Sequence, residues 1–206
     1  MSVDFKSTGS SNKNMNHTER VVAHIDEHVR LVSEIPTTHW GSLQIASSQI
    51  CKSLLNGGCL FWCGNGGSAA DSQHLAAELI GRFKNSRRPL RSIALTADTS
   101  VLTCIANDFC FDTIFERQIE ALGREGDILL ALTTSGNSAN VIRALKMSNK
   151  LGLSTIALLG KDGGEAISLA DLPILISSDS TACIQEVHIT IGHLLCDLIE
   201  HELGLS

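Results

Sequence analysis

The 206 residues carry 16 Lys and Arg against 22 Asp and Glu, a formal net charge of −6, with 43% hydrophobic and 18% charged positions. That length can bury a full core in one domain, and the dispersed basic residues exclude a polybasic stripe for nucleic acid or an anionic membrane surface. Seven cysteines form no CxxC pair, and Cys59, Cys63, Cys104 and Cys196 sit inside apolar runs, which reads as buried reduced thiols rather than a disulfide framework or a thiolate zinc site.

Residues 1–16 are rich in Ser, Asn and Lys and are expected to form a disordered tail, because they offer little apolar area to bury. They lack the apolar core of a signal peptide, and no run of about 18 apolar residues occurs in the sequence, so a cytoplasmic location is expected. From Thr18 to Ile35 the residues Val21, Val22, Ile25, Val29 and Val32 recur at helical spacing, and Pro36 is expected to stop that pattern. A second helix is predicted over Thr38–Leu55, ended by Asn56-Gly57-Gly58, the two forming a helical hairpin over about residues 17–57 of a single domain spanning 17–206.

The rhythm then changes. Cys59–Cys63, Ser92–Thr96, Asp127–Leu132, Ser154–Leu159 and Leu172–Ile176 are short apolar runs separated by helical patterns, which predicts an α/β fold with a doubly wound parallel sheet. Thr181–Leu203 returns to helix, with Ile184, Val187, Ile191, Leu194, Leu195 and Leu198 on its apolar face. The apolar faces of the two terminal regions suit either their own sheet or a partner chain.

Two glycine turns stand out between strand and helix. Gly64-Asn65-Gly66-Gly67-Ser68 follows the first strand, with Ser68 as the expected N-cap, and Thr133-Thr134-Ser135-Gly136-Asn137-Ser138 follows the third. Asn65-Gly66-Gly67-Ser68-Ala69 and Ser135-Gly136-Asn137-Ser138-Ala139 share Gly, Ser and Ala at equal offsets. A turn opening a helix presents free N–H groups and the positive end of the helix dipole to an anion. Neither turn has the Lys of a phosphate-binding NTPase loop or the glycine spacing of a dinucleotide fold. Hydroxyls at Thr133, Thr134, Ser135 and Ser138 suit a small phosphate held by neutral donors.

His74 and Glu78 are one helical turn apart and project from one face. Gln185 and His193, eight residues apart in the last helix, differ by about 80° around it and can also share a face. Two imidazoles, a carboxylate and an amide oxygen can form a shell for zinc or a similar ion if the two helices meet, which no local spacing decides. His188, about 140° from His193, points elsewhere and is expected to be structural.

Gly64–Ser68 with His74 and Glu78, Asn107-Asp108-Phe109, Gly123–Asp127, Thr134–Asn140, Gly160–Gly164 and Ile184–Ile189 together resemble the phosphoheptose isomerases of the SIS (sugar isomerase) domain group, from about residue 18 to 203. The resemblance implies a cytoplasmic homotetramer that converts sedoheptulose 7-phosphate into D-glycero-D-manno-heptose 7-phosphate, for surface glycans such as lipopolysaccharide. It implies Zn2+ held by His74, Glu78, Gln185 and His193. It assigns substrate contacts to Asn65, Gly66, Gly67, Ser68, Glu78, Asn107, Asp108, Thr133, Thr134, Ser135, Ser138 and Gln185. Glu78 would act as base and His193 as acid in an enediol(ate) pathway, although a metal-ligated carboxylate is the poorer base. Cys183 departs from the Arg usual before Ile-Gln-Glu. A non-catalytic SIS-domain tetramer that binds the replication initiator protein, and a sugar-phosphate sensor, share the fold; retention of Glu78 with His74, Gln185 and His193 favours the enzyme.

Overall fold

The computed structural model describes residues 15–205. The tail expected over 1–16 gives way at Asn16: the Glu19 amide donates to its side chain (3.0 Å) while the Asn16 amide donates to the Glu19 carboxylate (2.7 Å). This reciprocal box satisfies two donors at the start of α1 (His17–Glu34). Residues 1–14 lie outside the described residues.

The predicted hairpin does not form. α1 passes through a π-helical turn, Ile35–His39, directly into α2 (Trp40–Leu55), with helical dihedrals at Glu34, Ile35, His39 and Trp40. Pro36 has no N–H and its ring crowds the carbonyl four residues back. A π turn relaxes that spacing, so the helix absorbs the proline instead of ending at it.

Strands β1 (Leu60–Cys63), β2 (Ser92–Ala94), β3 (Ile128–Thr133), β4 (Ser154–Gly160) and β5 (Leu172–Ile176) pair in parallel in the order β2-β1-β3-β4-β5. Alternate side chains face opposite layers. Leu60, Trp62, Ile128, Leu130 and Leu132 pack under α2, α3 (Gly67–Ile80) and α7 (Thr181–Glu202). Phe61, Cys63, Leu129 and Ala131 pack against residues of α4 (Thr99–Asp108), α5 (Glu116–Leu122) and α6 (Ala139–Leu151). The sheet is therefore doubly wound, as predicted.

The two terminal helices bury their apolar faces differently. α7 buries Ile184, Val187, Ile191 and Leu195. It is long and apolar enough to cross a membrane, but half of that stretch is buried within the fold. α1 buries only Leu31, and Val21, Val22, Ile25 and Val29 remain 51–62% exposed. Five cysteines are buried free thiols, whereas Cys104 and Cys110 are exposed. Cys104, expected in the core, precedes the buried Ile105 on α4 and falls on that helix's outer face.

Candidate active site

Strand order reverses beside β1, whose neighbours are β2 on one side and β3 on the other, and the crevice beyond such a switch is where α/β sheets bind ligands. Both glycine turns open there. Gly66, at φ +55°, is the N-cap of α3, and no side chain caps that helix. Ser68, expected as the cap, is instead a buried residue inside the first turn, its carbonyl accepting the Ser72 hydroxyl (2.8 Å). The first amides of α3 thus have no side-chain cap, the arrangement that suits an anion.

The second turn repeats this arrangement. Ser138 is the N-cap of α6, again without a side-chain cap bond. Thr133 Oγ1 lies 3.3 Å from Ser138 Oγ and accepts the Gly136 N–H (3.2 Å), while the Asn137 N–H donates to Ser135 Oγ (3.2 Å). Thr134 and Ser135 are half-buried between them. Asn65 and Asn140 exchange two amide hydrogen bonds, each 2.8 Å, and so tie one turn to the other. Asn107 and Asp108 end α4, with the Asn107 amide donating to Asp108 (2.8 Å).

α3 and α7 pack side by side, pointing the same way. Gln185 lies against Gly67, where a Cβ would stand 2.8 Å from its amide, and Gly192 lies against Leu75, which a Cβ would strike. Glycine at 192 lets the helices close, and one residue further on they bring their histidines together. His74 Nε2 is 2.9 Å from His193 Nε2 and 3.4 Å from Glu78 Oε1. Phe83 stacks on the His193 ring at 17°, centroids 5.5 Å apart. Three of the four expected ligands therefore converge, while the Gln185 carboxamide rests two turns back along α7. His188 points into the core, its Nε2–H donating to the Leu159 carbonyl (3.2 Å).

Three contributors carry no local sequence signal strong enough to single them out. Asp71, one turn before His74, has a buried carboxylate oxygen without a hydrogen-bond partner. Burial raises its pKa while His74 and His193 pull it down, which places the carboxylate in the field of both imidazoles. Arg87 and Glu200 form an ion pair with side chains 2% and 0% exposed (2.8 Å). Arg87 also donates to the Glu78 carbonyl (2.8 Å), and Glu200 accepts the Phe83 and Lys84 amides. Burial alone would raise the Glu200 pKa, but those amides and Arg87 hold it low. This strap fixes both the end of α3 and Phe83.

A family model described as the SIS domain matches residues 23–160. The phosphoheptose isomerase of Nitratidesulfovibrio vulgaris is 48% identical over 183 residues, covering 89% of this chain and 88% of its own. The chain belongs to the phosphoheptose isomerase family of SIS domain proteins. Its structure is similar to that of phosphoheptose isomerase from Neisseria gonorrhoeae, with TM-score 0.85 and 42% identity over 90% of this chain and all of the other. The enzyme from Francisella tularensis matches with TM-score 0.87 and 35% identity, covering 91% and 100%.

Proposed function

We propose that this site interconverts sedoheptulose 7-phosphate and D-glycero-D-manno-heptose 7-phosphate, the entrance to heptose supply for a surface glycan such as lipopolysaccharide. The observation that carries the reading is the meeting of His74, Glu78 and His193 below two uncapped helix starts, in a chain whose relatives are phosphoheptose isomerases.

An aldose–ketose exchange moves one proton between C1 and C2 and another between the two oxygens. Glu78, 23% exposed at its side chain, takes the carbon-bound proton. His193, stacked on Phe83, would give and recover the proton at oxygen through Nδ1, the ring nitrogen that does not face His74. The phosphate and hydroxyls rest on Asn65, Gly66, Gly67 and Ser68 at one turn and on Thr133, Thr134, Ser135 and Ser138 at the other, with Asn107, Asp108 and Gln185 completing the sugar contacts. Binding energy far from C1 and C2 thereby fixes the geometry at the reacting carbons.

The donor set fits a divalent ion. Two Nε2 atoms 2.9 Å apart cannot both offer lone pairs to each other, yet both can offer them to one cation. The unpartnered Asp71 oxygen nearby supplies further negative charge. His74, Glu78 and His193 would hold Zn2+, which when bound supplies Lewis acidity at the sugar carbonyl; Gln185, expected as the fourth ligand, would have to swing its carboxamide away from Gly67 to join them. The exposed Val21, Val22, Ile25 and Val29 support a homotetramer, and a sugar-phosphate pool as substrate supports a cytoplasmic location.

Incubation with sedoheptulose 7-phosphate tests the reading. Aldose 7-phosphate is expected to accumulate to equilibrium; binding without turnover, or no binding, overturns it.

A further inference from the structure

Glu78 and His193 sit on different helices, α3 and α7, yet their donor atoms lie within 4.8 Å of each other. A helix leaves its last carbonyls without donors of its own. At the end of α3 one guanidinium takes two of them: Arg87 Nη2 donates to the Glu78 carbonyl (2.8 Å) and Nη1 to the Leu79 carbonyl (2.7 Å). The same fork reaches the Arg88 carbonyl (3.1 Å) and, through Nε, Glu200 Oε1 (2.8 Å).

Glu200 lies on α7 seven residues beyond His193, within about 20° of the same face. Its Oε1 also accepts the Phe83 amide (3.1 Å) and its Oε2 the Lys84 amide (3.3 Å), and the Phe83 ring stacks on His193. The pair thus grips the peptide of one proton-transfer residue and the ring support of the other.

Holding two helices together is the plainer role, but other contacts already do that. Gly192 lets Leu75 close in, and Gln185 packs on Gly67. At the surface Lys84 pairs with Asp197 (2.8 Å), the two side chains 57% and 45% exposed. A buried ion pair, moreover, adds little stability after its charges lose their water. What it supplies is geometry, since the guanidinium is a rigid planar fork whose donors keep fixed relative positions.

We propose that Arg87 and Glu200 are positioning residues that set the spacing between Glu78 on α3 and His193 on α7, a role that rests on the isomerase reading above. Their side chains are 2% and 0% exposed, so they act through the backbone of residues 78 and 83 and not on the sugar.

Arg87→Lys keeps the charge but replaces the fork by a point charge on a flexible stem. Its kcat with sedoheptulose 7-phosphate is expected to fall about 10²-fold, the cost of a small misplacement at reacting groups. KM should stay within about twofold, because both glycine turns are untouched. Zinc affinity should drop about 10–100-fold as Glu78 and His193 part. Lys84→Ala, which removes only the surface tether, is expected to leave all three at wild-type values. Wild-type kcat in Arg87→Lys overturns the proposal, as does a lower melting temperature with a folded fraction that turns over at the wild-type rate. Should Arg87→Lys fail to fold, Glu200→Gln, which keeps the volume and an acceptor for the Phe83 amide, must show the same split between kcat and KM. A wild-type chain that turns nothing over defeats the isomerase reading; the strap is then judged by zinc affinity, and wild-type affinity in both variants overturns it too.

Discussion

Glu78 is asked to serve both as a donor in the histidine cluster and as the base. Its substitution by Gln keeps the shape and the backbone bond from Arg87, which goes to the carbonyl, and removes the carboxylate charge on which both the basicity and the pull on a cation depend. Glu78→Gln is therefore expected to lower turnover by about 10²–10⁴-fold with an unchanged circular dichroism spectrum. Wild-type turnover in that variant would exclude Glu78 as the base. His188 makes a different kind of statement. Burial pushes its pKa down to about 4 although the Leu159 carbonyl favours its protonated form, while in the unfolded chain it titrates near 6.5. The folded state holds the neutral ring, so stability is fully present above about pH 6.5 and is lost as pH falls toward 4. Between pH 7 and 5 the loss from this group is about 2 kcal/mol. Urea unfolding at both pH values should show a smaller loss in His188→Gln, and equal losses would rule the residue out.

At the scale of elements, the repeated strand–glycine–helix device gives the site its form. Gly136 sits at φ +65° with the Gly163 carbonyl where a Cβ would go, so the 160–165 loop can close over the second turn only if position 136 has no side chain. Gly136→Ala is expected to cost about 2–3 kcal/mol and to raise KM for the sugar phosphate. Gly57, at φ +82° in open space, is the control, and Gly57→Ala should cost about 1 kcal/mol without touching KM. Similar melting temperatures for the two variants would show that the close approach to Gly163 is unimportant. The Asn65–Asn140 pair is not legible in the matching offsets of the two turns, because Asn65 aligns with Ser135 and Asn140 with Ala70. Nor is the π turn at Pro36: proline reads locally as a stop, and only the packing of α1 and α2 along α7 makes continuation worthwhile.

For the whole molecule, the α1 stripe is the feature the isolated chain leaves unsatisfied. Val21, Val22, Ile25 and Val29 follow helical spacing like any core face, but they point away from the protein's own core. Because they are already about half buried, covering them between chains would recover roughly 1 kcal/mol per side chain. Val22→Asp combined with Ile25→Asp is expected to convert the proposed assembly to smaller species in light scattering while helix content is kept. A wild-type protein that is monomeric at micromolar concentration would contradict the proposed tetramer.

The sequence by itself determined the five strands to within a few residues, the helices between them, both glycine turns and the His74/Glu78 pair, because these depend on periodicity and turn chemistry acting over short spans. It also carried enough family pattern to name the chemistry. Only the tertiary structure decided that strand order reverses between the turns, that Gly192 lets α3 and α7 close until His74 and His193 touch, and that Arg87 and Glu200 strap the end of α3. It alone turned α1's apolar face outward while setting His24 and His28 against Cys183 and Glu186. Those outcomes depend on which helix faces meet across more than 100 residues of chain, and helical spacing reports that a face is apolar without reporting what it faces.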